Sequence, residues 1–134
     1  MNQLELSKSI AVKAHKGQLR RNGVEYITHP RRVALSMPND FLASVAWLHD
    51  VVEDTDETRD SLLDKGVSKE IVDAVMQLTK VKNENYIDYI EEIAIYGGIA
   101  KVKIADMFDN LCDSPTDRQQ EKYRKAIGIL LLSI

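Results

Sequence analysis

A chain of 134 residues with 44% hydrophobic and 29% charged side chains has the size and composition of one folded domain, leaving no room for a second catalytic domain. Its net charge of −3 offers no electrostatic grip on a nucleic-acid polymer or an anionic membrane, so neither is an expected partner. No run approaches the roughly 18 apolar residues of a membrane span, MNQLELSKSI lacks the apolar stretch of a signal peptide, and a cytoplasmic location is the expectation. The single cysteine, Cys112, cannot form an internal disulfide, fits a reducing compartment and is expected to be half-buried.

Leu4, Ile10, Ala11 and Ala14 recur at helical spacing up to about Gly17, and GQLRRNG then reads as an exposed loop. Pro30 suits a first helical turn, so a short second helix starts there with His29 at its mouth. NDFLASVAWLHDVVED, opening at Asn39 or Asp40, is apolar on nearly every side, as a central buried helix would be. DETRDSLLDKG is a short helix closed by Gly66, and Ser68 caps the next, whose Ile71, Val72, Val75 and Leu78 form one stripe. ENYIDYIEEIAIYGG and IAKVKIADMFDNLC continue the helical period, and Thr116 with Gln119 is a capping-box pattern that starts the last helix. With no convincing strand, repeat or linker, the expectation is an all-α bundle of about seven or eight helices forming one domain over residues 1–134. The apolar terminus IGILLLSI either packs on the core or forms a subunit interface, as in a homodimer.

The chemistry concentrates in HDVVEDT, directly after Val45-Ala46-Trp47-Leu48. His49 and Asp50 are adjacent, so on a helix their side chains diverge by about 100°, which suits two ligands approaching one cation near a helix end. Glu53 and Asp54 follow at spacings of three and four, and three carboxylates this close repel unless protons or a cation intervene. Imidazole plus carboxylate favours Mn, Fe or Zn over a thiolate-loving metal and over calcium. In KIADMFDN, Asp106 and Asn110 lie four apart on one helix face, with Ile104, Met107 and Phe108 directed elsewhere; a half-buried Asp106 needs a partner. Taken singly, these are ordinary features: a charged helix terminus, a surface histidine before a proline, a solvated Arg20–Arg21 pair. The set of His29, His49-Asp50 and Asp106 points instead to a metal site, beside which Arg20 and Arg21 could bind phosphate oxygens or stack on a base.

The order H…HD…D formed by His29, His49-Asp50 and Asp106 resembles the HD superfamily of metal-dependent phosphohydrolases. AHKGQLRRNGVEYITHP, LHDVVEDT and KIADMFDNL narrow the resemblance to the hydrolase domain of the RelA/SpoT alarmone enzymes and to the small alarmone hydrolases. It runs over nearly the whole chain, while the synthetase domain of the long members is expected to have no counterpart. The resemblance implies an HD-domain fold and a metal, usually Mn²⁺, on His29, His49, Asp50 and Asp106. It further implies Glu53 and Asp54 as the acidic pair that activates or positions the attacking water. Arg20, Arg21 and Asn22 fall in the loop for base and phosphates, and Asn110 and Tyr26 in the nucleotide pocket. The implied reaction converts ppGpp or pppGpp to GDP or GTP and pyrophosphate, and the implied partner is a small nucleotide. Arg21 where the family often has Lys, Asn22 where Ser is common, and CDSPTD after the second acidic motif leave ppApp or another phosphorylated nucleotide open as substrate. A catalytically idle nucleotide sensor is the alternative from another class. His15 lies in a family motif with a structural or phosphate-edge role.

Overall fold

The computed structural model describes residues 1–134 and contains nine α-helical segments, one 3₁₀ turn and no strand. The segments are α1 (Gln3–Ala14), α2 (Thr28–Leu35), α3 (Asp40–Leu48), α4 (Val51–Asp54), α5 (Arg59–Asp64), α6 (Lys69–Leu78), α7 (Tyr86–Ile95), α8 (Ala100–Asn110) and α9 (Asp117–Leu131), with the 3₁₀ turn over Gly97–Ile99. α3 and α4 are one helix interrupted at His49-Asp50, both of which keep right-handed helical dihedrals, so the bundle has eight helices in the sense expected from sequence. None is long and apolar enough to cross a membrane.

Helix starts are set by short polar side chains. Asn2, Asn39, Ser68 and Asn85 each accept the backbone N–H three residues on, satisfying a donor with no intrahelical partner. Thr58 with Ser61 and Thr116 with Gln119 form reciprocal capping boxes. α5 closes at Gly66, whose φ of +98° is reached cheaply only by glycine. α2 begins at Thr28, two residues before Pro30, which places His29 inside the first turn rather than at its mouth; Pro30 remains within that turn, where its missing N–H breaks no helical bond.

α3 is the central helix. Leu42, Ser44, Val45, Ala46, Trp47 and Leu48 are all buried, and α1, α2, α6 and α8 pack around it. α7 and α9 pack on each other, and α9 also packs on α8, which extends the core through Ile90, Ile93, Ala126 and Leu130. The stripe Ile71, Val72, Val75, Leu78 of α6 is buried as its period implies. One expectation is corrected. Cys112 is exposed rather than half-buried, because it follows the end of α8 and leaves the packed face. Phe108, directed away from Asp106, is exposed, one position past the buried flank carrying Asp106 and Met107. The apolar terminus divides: Ile127 and Leu130 are buried, while Leu131, Leu132 and Ile134 face solvent.

Ile90 is fully buried on α7, a helix that supplies none of the clustered histidines. Truncating it leaves a cavity that the packed helices fill only in part, so Ile90→Ala is expected to lower unfolding free energy by about 2–5 kcal/mol, read from urea unfolding followed by circular dichroism.

Candidate metal centre

The site forms where α2, the break between α3 and α4, and α8 converge. His29 comes from the first turn of α2, His49 and Asp50 from the break, and Asp106 from α8. The break has a local cause. The Ala46 carbonyl accepts both the backbone N–H of His49 at 3.4 Å and the His49 ring Nδ1–H at 2.6 Å, so the side chain takes a carbonyl that a regular helix reserves for the fourth residue on. Because a carbonyl only accepts, Nδ1 carries the proton and Nε2 points inward.

Five of the six distances among the four candidate ligand atoms are short. His29 Nε2 lies 2.8 Å from Asp106 Oδ1, 3.2 Å from His49 Nε2 and 3.4 Å from Asp50 Oδ2; His49 Nε2 lies 3.0 Å from Asp50 Oδ2 and 3.2 Å from Asp106 Oδ1. One donor atom from each of the four residues lies within 4.8 Å of all the others. Donors about 2.1 Å from a shared ion sit roughly 3.0–3.4 Å from their neighbours, which is the spacing found. Two imidazole nitrogens and two carboxylate oxygens at this spacing could hold a divalent cation, and the donor set suits a borderline or hard one.

Electrostatics bind the cluster together. Burial opposes ionisation of Asp106, but Lys103, whose Nζ lies 2.9 Å from Oδ2, and the two histidines outweigh it and hold its pKa well below the carboxylate range. Asp50 is likewise lowered by His49 and His29 against the cost of burial. Burial lowers His29, yet hydrogen bonds to Asp106, Asp109 and Asp50 outweigh it and push it up to about 10. His49 is raised in the same way, by Asp50 and Asp106.

Glu53 and Asp54 lie on the solvent side of this cluster. Glu53 Oε1 accepts the backbone N–H of Lys80 at 2.5 Å, and Asp54 Oδ2 accepts the Tyr26 hydroxyl at 3.3 Å. Partial loss of hydration raises both carboxyls, and the charge of Asp50 adds to the effect. Tyr26 also donates to Asp50 Oδ2 at 2.6 Å, so one hydroxyl links the buried carboxylate to the outer one. Its own pKa is driven up by burial and by Asp50.

Beside the cluster, Arg20, Arg21, Tyr26 and Asn110 line a 270 Å³ cavity together with Leu19, Asp113, Gln119 and Tyr123. The structure therefore gathers four of the five residues expected around a nucleotide. Asn22 is not on the cavity wall: its side chain accepts the Val24 N–H and its backbone N–H donates to Asp113, which shapes the turn. Arg20 is far from a solvated loop residue. Its guanidinium is 6% exposed and contacts Asp109 at 2.9 Å and Asp113 at 3.3 Å. Arg21 donates to Gln119 Oε1. Asn110 Nδ2 donates to Asp106 Oδ1 at 3.1 Å, tying the cavity to the cluster. His15 is buried, with Nδ1 against Gln18 Oε1 at 2.8 Å and its ring 4.9 Å from that of Tyr26, which it backs.

Sequence reasoning missed Lys103 and Asp109. Both lie three residues from Asp106 on one helix, so the i±3 rule that relates helical neighbours would have found them. Asp109 accepts from His29 Nδ1 at 2.7 Å and is held at about 2: burial raises it, but His29, Arg32 and Arg20 outweigh that. Asp113, Gln119 and Tyr123 reach the cavity only through the turn of the chain into α9, and no local pattern announces them.

No family model matches the chain. It is 46% identical over 79 residues to the guanosine-3′,5′-bis(diphosphate) 3′-pyrophosphohydrolase of Haemophilus influenzae, a match covering 54% of this chain and 12% of that protein. It is 35% identical over 117 residues to the bifunctional (p)ppGpp synthase/hydrolase SpoT of Escherichia coli K12, covering 76% of this chain and 16% of that protein. The chain thus spans less than a fifth of the length of these curated relatives. A solved structure described as a metazoan ortholog of SpoT that hydrolyses ppGpp superposes with a TM-score of 0.80 at 22% identity, over 99% of this chain and 85% of that one. Sequence matches and fold agree with the resemblance carried by the three motifs: this all-α chain is similar in sequence to part of the SpoT-type (p)ppGpp pyrophosphohydrolases and in fold to a solved SpoT ortholog.

Proposed function

We propose that the chain is a Mn²⁺-dependent hydrolase that removes the 3′-pyrophosphate of ppGpp or pppGpp, giving GDP or GTP and pyrophosphate, with residues 1–134 acting as one phosphohydrolase domain. The observation that carries this reading is the convergence of His29, His49, Asp50 and Asp106 next to a cavity walled by Arg20, Arg21, Tyr26 and Asn110. Relatives named for this reaction support it. A cytoplasmic setting suits the exposed thiol of Cys112.

His29, His49, Asp50 and Asp106 would hold the ion, which when bound supplies Lewis acidity to the phosphoryl group and to water. The remaining work falls to the chain. Glu53 and Asp54, raised above ordinary carboxylates, are suited to accept the proton of the attacking water and to return one to the departing 3′-oxygen. The Lys80 N–H fixes one oxygen of Glu53, and the Tyr26 hydroxyl fixes Asp54 relative to Asp50. Tyr26 and Asn110 touch both the cavity wall and the cluster, which would set the distance between a bound nucleotide and the reacting phosphorus.

Arg21 and Asn22, in the loop that the resemblance implies for the base, leave a second reading for the base alone. The chemistry would be unchanged and an adenine alarmone, ppApp, would be accepted.

Three outcomes are expected. Purified protein releases pyrophosphate from ppGpp with Mn²⁺ and not with a chelator; release from ppApp alone would move the assignment to adenine, and Mn²⁺ binding without turnover of either would leave a nucleotide sensor. His49→Ala loses bound Mn²⁺ by calorimetric titration and loses hydrolysis, while its far-ultraviolet circular dichroism stays helical; full activity would remove His49 from the centre. Glu53→Gln keeps Mn²⁺ and lowers kcat by about 10²–10⁴; loss of the ion instead would make Glu53 a ligand.

A further inference from the structure

Asp109 contributes no atom to the four-donor cluster, yet it is bonded directly to one of its members. It is buried on α8, and its Oδ2 accepts from His29 Nδ1 at 2.7 Å and from Arg20 Nη1 at 2.9 Å. Its Oδ1 accepts from Arg32 Nε at 2.5 Å, and its backbone carbonyl accepts from Arg20 Nη2 at 3.3 Å. A carboxylate facing Nδ1 has only acceptors and so keeps a proton there; Nε2 faces the Asp106 carboxylate, 2.8 Å away, and is the nitrogen from which a bound cation would displace the proton. His49 obtains the same orientation from the Ala46 carbonyl, which is backbone and cannot be changed by substitution. His29 depends on a side chain.

We infer that Asp109 is a positioning residue of the metal centre, fixing His29 in the tautomer and ring orientation that ligates, and that by sharing one oxygen with Arg20 it joins the metal centre to the nucleotide cavity. The inference rests on the metal centre of the proposed function and not on the identity of the nucleotide. The geometry favours coupling over two separate contacts: a single oxygen receives both donors, so any displacement of Arg20, which lines the cavity, changes the charge and position of the group that holds His29. Arg32 engages the opposite oxygen, with its side chain 63% exposed, and serves as an outer anchor.

The test is a Mn²⁺ titration without nucleotide. In Asp109→Asn the isosteric amide has one acceptor where three donors compete, and loss of such a support costs a metal site about 10–100-fold in affinity. Arg32→Ala leaves the His29 bond intact, and its Mn²⁺ affinity should stay within about twofold of the parent. A spectroscopic arm uses the unaltered protein loaded with Zn²⁺: ¹⁵N-imidazole spectra should show His29 protonated at Nδ1 and metallated at Nε2, a signature that a merely structural role for Asp109 would not require. Parent-like affinity in a folded Asp109→Asn overturns the inference. If that variant fails to fold, His29 metallated through Nδ1 in the parent overturns it, and the expected tautomer sustains it. Failure of the parent to bind either ion overturns both this inference and the metal centre. Tight Mn²⁺ binding without turnover of ppGpp or ppApp overturns only the substrate.

Discussion

Two carboxylates, Asp50 and Asp106, come within 4.8 Å of each other where α2, the α3–α4 break and α8 converge, and the surrounding architecture answers to that placement. At an effective dielectric of about 20, two such charges repel by on the order of 3 kcal/mol, before any cost of dehydration. The repulsion is offset locally: His29 and His49 lie between the carboxylates, and Lys103 reaches the outer oxygen of Asp106 from one turn back along α8. Compensation of this kind works only when the groups cannot drift. Val33, Leu48, Val51 and Met107, all buried to within 1% of complete, flank the ligands on their own helices and hold the backbones at fixed separation.

That rigidity is combined with one deliberate irregularity. A regular helix through His49 and Asp50 would send their side chains along a continuous spiral, with every carbonyl used by the backbone. Here the His49 ring takes the Ala46 carbonyl, Asp50 relaxes to φ −105°, ψ −1°, and the helix restarts at Val51. One hydrogen bond thereby ends α3, sets the tautomer of His49 and frees Asp50 to face the same point. The apolar stretch before the break is what makes it tolerable, since burial of Val45, Ala46, Trp47 and Leu48 anchors the last turn of α3 by packing.

Most of the fold was legible because its signals are local. Caps at Asn39, Ser68 and Thr116, the glycine at Gly66 and the stripe on α6 each depend on residues within one or two turns, and each stands where the sequence put it. The four clustered donors were legible for another reason: imidazole and carboxylate side chains adjoining apolar runs, at Leu48-His49-Asp50 and Ile104-Ala105-Asp106, have no inexpensive fate in a core except mutual pairing or a cation. What escaped depends on distance in sequence. Arg20 meets Asp109 across 89 residues and Asn22 meets Asp113 across 91, and nothing in GQLRRNG distinguishes a clamped arginine from a solvated one. Cys112 was misjudged because α8 ends at Asn110 and the chain leaves the packed face directly after it.

The two arginines of that loop divide the labour in a way their adjacency conceals. Arg20 is spent on Asp109 and Asp113; with both carboxylates against it, little of its charge is left for the cavity. Arg21 has only the neutral Gln119 as partner, so it carries the uncompensated positive charge on the cavity wall. In the proposed reaction this makes Arg21 the phosphate- or base-facing residue and Arg20 the clamp that keeps the loop on α8. Gln18, donating to the Asp54 carbonyl at 2.8 Å, and Asn22, bound to Asp113, clamp the same loop at two more points. A loop held at three points loses little conformational freedom when a nucleotide arrives, and more of the contact energy of Arg21 remains available for binding and for aligning the pyrophosphate with Glu53 and Asp54.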